Sequence, residues 1–181
     1  MKPVSSRATL KRIAERGEYD AATIRQILDA QQVCHVAYVD AGEPRQIATL
    51  YMCDDDYLYL HGNRQSALLK HMAAGGEVVT GEAHRRCLDK FVEVLIPGHE
   101  KVVREPTRQE LAATTVVRIH LQEMVAKVRA GDPIDAEDDL DSDVWAGEIP
   151  LRNQSLAPVP AANLSNEVSL PGYIQNFKPR G

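Results

Sequence analysis

The spacing of apolar and polar positions changes period along this chain, and the changes mark its elements. After Asp20, which suits a helix cap, Ile24, Ile27 and Leu28 fall on one face at i, i+3, i+4 spacing and predict a helix to about Gln32. Val33 to Val39 is rich in β-branched and aromatic residues and predicts a strand. Asp40-Ala41-Gly42 supplies a hairpin turn, and Gln46 to Met52 a second strand. Asp54-Asp55-Asp56 is a polar turn before a third strand, Tyr57 to His61. Its alternation sends Tyr57, Tyr59 and His61 to one face, Leu58 and Leu60 to the other.

A helix from about 65 to 74 buries Leu68, Leu69 and Met72 and stops at Gly75-Gly76. Glu77 to Ala83 reads as a short strand. Leu88, Phe91, Val92 and Leu95 form an amphipathic helical stripe that Pro97-Gly98 ends. Thr107 and Glu110 make a capping box, and Thr114 to Leu121 is another β-branched strand. Met124 to Arg129 fits helix or strand. Asp132 to Asp143 is an acidic run, with Asp135, Asp138, Asp139 and Asp141 inside it, that reads as a solvated loop. Pro158, Pro160, Pro171 and Pro179 give the last segment the character of an extended arm. The expected organisation is a leader over residues 1–17, a domain over 18–151 and an arm over 152–181.

One junction carries candidate chemistry. The third strand runs into His61-Gly62-Asn63-Arg64-Gln65-Ser66 just before a helix. A helix start presents unpaired N–H donors and partial positive charge, which suits a phosphate. Ser66 can bind such an anion or simply cap the helix. Lys70 lies one turn further on and can reach an anion or stay in solvent.

The 181 residues fit one domain, and 44% hydrophobic with 26% charged residues is ordinary for a globular protein. A net charge of −5 argues against a nucleic-acid partner. No apolar run is long enough to cross a membrane. The first residues are basic without an apolar core, so a secretory signal is not expected. Three widely spaced cysteines, Cys34, Cys53 and Cys87, fit free thiols in a reducing, cytoplasmic compartment. His84 and Cys87 have ligand-like spacing but lack a second pair, so no metal site is expected. There is no P-loop and no GxGxxG.

The ordered set of segments from Arg16 to Val39, Gly42 to Met72, Leu95 to Gly98, Thr107 to Asp139 and Val144 to Leu151 (VWAGEIPL) resembles the FMN-binding split-barrel family, in the branch related to pyridoxamine 5′-phosphate oxidase. The resemblance implies a mainly β fold with peripheral helices, an FMN-binding split β-barrel that forms a homodimer with flavin at the interface. It implies that Ile47, Ala48, Thr49 and Leu50 lie along the isoalloxazine. It places the phosphate at His61, Gly62 and Ser66, with Arg64 nearby. The basic pair that follows the serine in the oxidase is replaced by Ala67 and Leu68, so Arg64 or Lys70 is expected to supply the charge. Trp145 matches a tryptophan that reaches the partner's flavin.

The chain departs from the family after Gly76, where GGEVVTGEA passes directly to the next helix and about two strands are missing. Such a barrel is incomplete. Either it is rearranged, or the dimer fills the gap, or the cofactor site is damaged. The expected function is an FMN-dependent oxidoreductase acting on a small-molecule redox substrate, with no catalytic residue assigned. The alternative is a cofactor-free barrel that serves as a dimerisation or partner-binding module. Haem or a deazaflavin in place of FMN is a third reading.

Overall fold

The computed structural model describes residues 3–134, 136–137, 143–152, 154–165 and 167–178. The acidic residues Asp135, Asp138, Asp139 and Asp141, and Pro179, lie outside them. The chain runs β1 (Gly17–Glu18), α1 (Ala21–Asp29), β2 (Val33–Asp40), β3 (Glu43–Asp54), β4 (Tyr57–Asn63), α2 (Ala67–Gly75), β5 (Glu77–Val79), α3 (Gly81–Leu95), α4 (Arg108–Ala113), β6 (Thr114–His120), β7 (Ala126–Lys127) and α5 (Gly172–Gln175). Among the described residues the strands form an antiparallel five-stranded sheet in the order β2-β3-β4-β6-β5 and a small bridge of β1 with β7. The fold is mainly β with peripheral helices, as the pattern implies.

Local chemistry sets the element ends. Asp20 caps α1 by accepting the Thr23 N–H at 2.9 Å. The helix stops at Asp29 rather than near Gln32, because the chain must already extend to pair Val33 with Leu50. The β2–β3 turn holds Ala41 and Gly42 at φ 50° and 84°, the two left-handed residues of a type I′ hairpin. Arg25 fastens the β3–β4 turn by donating to the carbonyls of Asp55 and Cys53 at 2.8 and 3.0 Å. Thr107 and Glu110 form the reciprocal capping box at α4.

Glu77 to Ala83 is a strand only over Glu77–Val79. Gly81 turns the chain with φ +63° and opens α3, so the β-branched Val78-Val79-Thr80 signal ends one turn before the helical stripe begins. Gly76 is required by close approach. A Cβ there would stand 2.9 Å from a Val117 methyl and 3.0 Å from the Met72 carbonyl.

The sheet buries both faces. On one, Met52, Tyr59, Val79 and Val116 pack under Phe91 of α3, with Cys87, Leu88 and Leu95 around it. On the other, Tyr51, Cys53 and Leu60 meet Leu28 of α1, and Val117 meets Leu68 and Leu69 of α2. Tyr57, Tyr59 and His61 share the α3 side and Leu58 and Leu60 the other, matching the alternation. Within the sheet, Arg118 of β6 pairs with Glu77 of β5 at 2.6 Å and lies 4.5 Å over the Tyr57 ring. Lys90 ties α3 to Asp54 at the end of β3.

Phe91 is 2% exposed and sits at the centre of the α3–sheet contact. Phe91→Ala is expected to cost about 3–5 kcal/mol of unfolding free energy, measured by urea titration. A loss below about 1 kcal/mol would show that α3 does not hold the sheet in this way.

Candidate functional site

β3 changes partner half-way along. Glu43 to Leu50 pairs with β2, and Tyr51 to Asp54 pairs with β4. Continuing the β4 register would bring Leu50 opposite His61, but the ladder stops at the Tyr51–Leu60 pair. From that point β4 keeps to β6 and β3 keeps to β2. The sheet is therefore split between Ile47–Leu50 and His61–Asn63. Among the described residues, the backbone groups on that side of Ile47–Leu50 have no ladder partner. Ile47, Ala48 and Leu50 are exposed there, and Thr49 is half-buried.

The turn at the other lip of the split is built by Asn63. Its side-chain oxygen accepts the Gln65 N–H at 2.8 Å, and its carbonyl accepts the Ser66 N–H at 2.9 Å. Asn63 thus shapes the turn, and Ser66 makes no side-chain cap bond to α2. The Ser66 hydroxyl stands at the helix start with the first-turn N–H groups of Ala67, Leu68 and Leu69, which precede any i−4 carbonyl of α2. Lys70 Nζ reaches back to donate to Gln65 Oε1 at 3.0 Å, placing its ammonium over the same turn.

The other residues expected at the site lie differently. The Arg64 N–H donates to the Ala113 carbonyl at 2.8 Å and its guanidinium to the Ala112 carbonyl at 3.4 Å, so its charge rests on the end of α4. The His61 ring lies under α3, 4.3 Å from the Phe91 ring, and its buried Nδ1 has no hydrogen-bond partner among the described residues. Gly62 backs onto Leu69. Trp145 is 73% exposed and its ring folds over Gly147. The structure thus brings Ile47–Leu50, Gly62, Ser66 and Lys70 to the split and directs the side chains of Arg64 and His61 elsewhere.

A family model described as pyridoxamine 5′-phosphate oxidase matches residues 20–85. These residues hold the split and the Asn63–Ser66 turn. Over these residues the chain is similar to the pyridoxamine 5′-phosphate oxidase family. Its structure is similar to that of the flavocytochrome Anf3 of Azotobacter vinelandii, with a TM-score of 0.88 and 29% identity, covering 96% of this chain and 97% of that one. It is also similar to the FAD and haem binding protein of Mycobacterium smegmatis, with a TM-score of 0.81 and 25% identity, covering 88% and 96%. No curated protein sequence matches the chain.

The sequence pattern did not single out a second cluster. A cleft of about 720 Å³ opens between α3 and the segment from His99 to Glu110. Leu88, Val92, Val103 and Pro106 supply apolar wall, and Arg85 and Arg104 stand with four carboxylates around it. Arg104 donates to Glu110 at 2.8 and 2.6 Å, and this with the Thr107 contacts holds the Glu110 carboxyl down at about 2. Arg85 pairs with Asp89 and Glu105. Pro97-Gly98 was visible in the sequence as a helix stop, but nothing local linked the neighbouring His99 to Tyr173, whose hydroxyl stands 2.9 Å from His99 Nδ1.

Burial holds the His61 ring below its ordinary value of 6.5, so the folded state keeps it neutral. The unfolded chain gains that proton as pH falls through 6.5, so this stability is present above 6.5 and is lost below it. His61→Gln is expected to flatten the fall in unfolding midpoint between pH 7.5 and 5.5. Parallel curves for both proteins would remove His61 as the source.

Proposed function

We propose that this chain is a flavin-binding redox protein that holds FMN in the split between β3 and β4, at the interface of a homodimer. The observation that carries the reading is the partner switch of β3, which leaves the Ile47–Leu50 backbone open beside the Ser66 turn. A flavin needs such a pairing. Its ring system presents a hydrogen-bonding edge that an open strand can meet, and its phosphate needs donors and positive charge. Ser66, the α2 N–H groups and Lys70 bind the phosphate, and Thr49 offers a hydroxyl beside the ring. Lys70 replaces the basic pair missing after Ser66.

A bound flavin supplies two-electron redox chemistry, and the protein supplies position and hydrogen bonds. The substrate is a small molecule, and no side chain stands out as its general base. Trp145, exposed between the barrel and the C-terminal arm, is the residue proposed to reach the partner's flavin. The apolar positions Val33, Val39, Ile47 and Leu50 are exposed on the β2–β3 hairpin and form the proposed dimer surface. Among the described residues no disulfide joins Cys34, Cys53 and Cys87, which fits a reducing cytoplasm.

Two structurally similar proteins favour a second cofactor. One is described as a flavocytochrome and the other as an FAD and haem binding protein. The chain is therefore also read as a haem binder, with FAD as the competing flavin.

An absorption spectrum before and after FMN titration tests the flavin reading. Stoichiometric binding supports it, and no bound flavin at saturating FMN returns the chain to a cofactor-free module. Chromatography of released flavin separates FMN from FAD. Each charge-assisted bond contributes about 1.5–3 kcal/mol, so Ser66→Ala and Lys70→Ala are each expected to weaken FMN binding by roughly ten- to a hundredfold. Arg64→Ala is expected to change it less, and the reverse ranking would move the phosphate to Arg64. Sedimentation is expected to show a dimer, and Leu50→Asp a monomer without flavin. A flavin-loaded monomer would place the site within one chain.

A further inference from the structure

We infer that the segment from 145 to 171 is a strap that lies on a second copy of this chain, where its apolar side chains cover the exposed β2–β3 hairpin. This rests on the homodimer part of the functional reading and names the segment that crosses. The first observation is a mismatch between composition and exposure. Every described residue from 145 to 172 is exposed. Yet the stretch carries Trp145, Ile149, Leu151, Leu156, Val159 and Leu170, with Leu151 at 94% and Val159 at 90% exposure. None of them joins a core cluster of the described residues. The charged residues of the strap are Glu148, Arg152 and Glu167 alone. A solvated linker is rich in charge and poor in large apolar side chains. The core of a protein–protein interface is the reverse, depleted in charge and enriched in aromatic residues.

The second observation is that the chain is held to its own body before and after the strap. Before it, β7 pairs with β1, and the Val128 N–H donates to the Arg16 carbonyl at 2.9 Å. After it, α5 seats on the end of α3. The Tyr173 hydroxyl stands 2.9 Å from His99 Nδ1, and Gly98, with φ +92°, leaves room for the Tyr173 Cβ, which a Cβ at 98 would approach to 3.1 Å. Phe177 lines a hollow with Leu95 and Pro97 at the same helix end. A segment fixed on both sides presents its side chains as a surface. Pro150, Pro158 and Pro160 fix φ and lack N–H donors, so the strap is extended beforehand and loses less entropy on docking.

The third observation identifies the occupant. One side of a standard interface takes roughly 20–30 residues, which is the length of the strap. The same chain exposes a second apolar surface, Val33, Val39, Ile47 and Leu50, on a hairpin whose β2 is an edge strand. In a two-fold dimer each strap meets the other copy's hairpin, so both surfaces are used twice and the assembly closes. A lipid surface fits less well. Anionic headgroups attract basic segments, whereas the acidic run from Asp132 to Asp143 leads into the strap.

The test places a photo-reactive benzophenone amino acid at Leu156 of the full chain and mixes ordinary with ¹⁵N-labelled protein. Irradiation is expected to join light chains to heavy ones, with the links mapping to residues 33–50. Links within one chain only, links to the partner outside the hairpin, or no links in a chain that sediments as a dimer overturn the strap and leave the dimer standing. A chain that is monomeric at every concentration overturns both. Trp145 is the single tryptophan, so its emission wavelength reports on the strap. It is expected to shift to the blue as the protein is concentrated into the dimer. Leu151→Asp with Leu156→Asp is expected to weaken the dimer roughly tenfold or more and to keep the emission red-shifted. Its circular dichroism is expected to be unchanged, because neither side chain packs on its own core. An unchanged dimer constant in that variant overturns the strap, as does a blue shift that comes only with phosphatidylserine vesicles.

Discussion

Everything in this fold depends on one strand that changes partner half-way along its sheet. Over Glu43–Leu50 the ladder of β3 is with β2, and over Tyr51–Asp54 it is with β4. A strand that pairs on one side at a time leaves an open row of backbone donors and acceptors along each half. The lower half is covered because α1 and Arg25 close over it, with Arg25 bound to the Cys53 and Asp55 carbonyls. The upper half is not covered by the described residues. The open row and the end of the β3–β4 ladder are thus two consequences of one change of partner.

The short passage after Gly76 still closes the sheet. β5 has three residues and caps it, because Val78 and Val79 pair with Val117 and Val116 and Glu77 pairs with Arg118. Gly76 lets the chain pass against Val117 without a side chain in the way. The α3 stripe then covers one face of the sheet. The cost falls on the edges. β2 and β5 are both terminal strands of the sheet, and β2 carries the exposed Val33 and Val39 beside the split.

What the sequence made legible was local. Asp20 with Thr23, and Thr107 with Glu110, act across three residues, so their caps could be read from spacing. The alternation of Tyr57, Leu58, Tyr59, Leu60 and His61 named both faces of β4 because a strand has no other way to dispose side chains. The partner switch of β3 was not legible, since the period of two is the same whichever neighbour a strand has. Ser66 was ambiguous because serine both caps and binds, and Asn63, three residues earlier, decided the matter by building the turn itself. Arg64 looked available until α4 folded beneath it. The His99–Tyr173 contact joins residues 74 apart, through a C-terminal helix of four residues that no periodicity announces.

The two candidate sites share a wall. α3 presses Cys87 and Phe91 onto the sheet beneath Tyr59 and His61, while Arg85, Asp89 and Val92 line the cleft, with Leu88 serving both. Packed interiors transmit displacement because they hold few voids to absorb it. A shift of α3 that moves Phe91 also moves the wall of the cleft and, through His61, the strand that forms one lip of the split. Lys90 ties the same helix to Asp54 at the far end of β3. α3 is therefore the element that joins the wall of the cleft to the strand at one lip of the split.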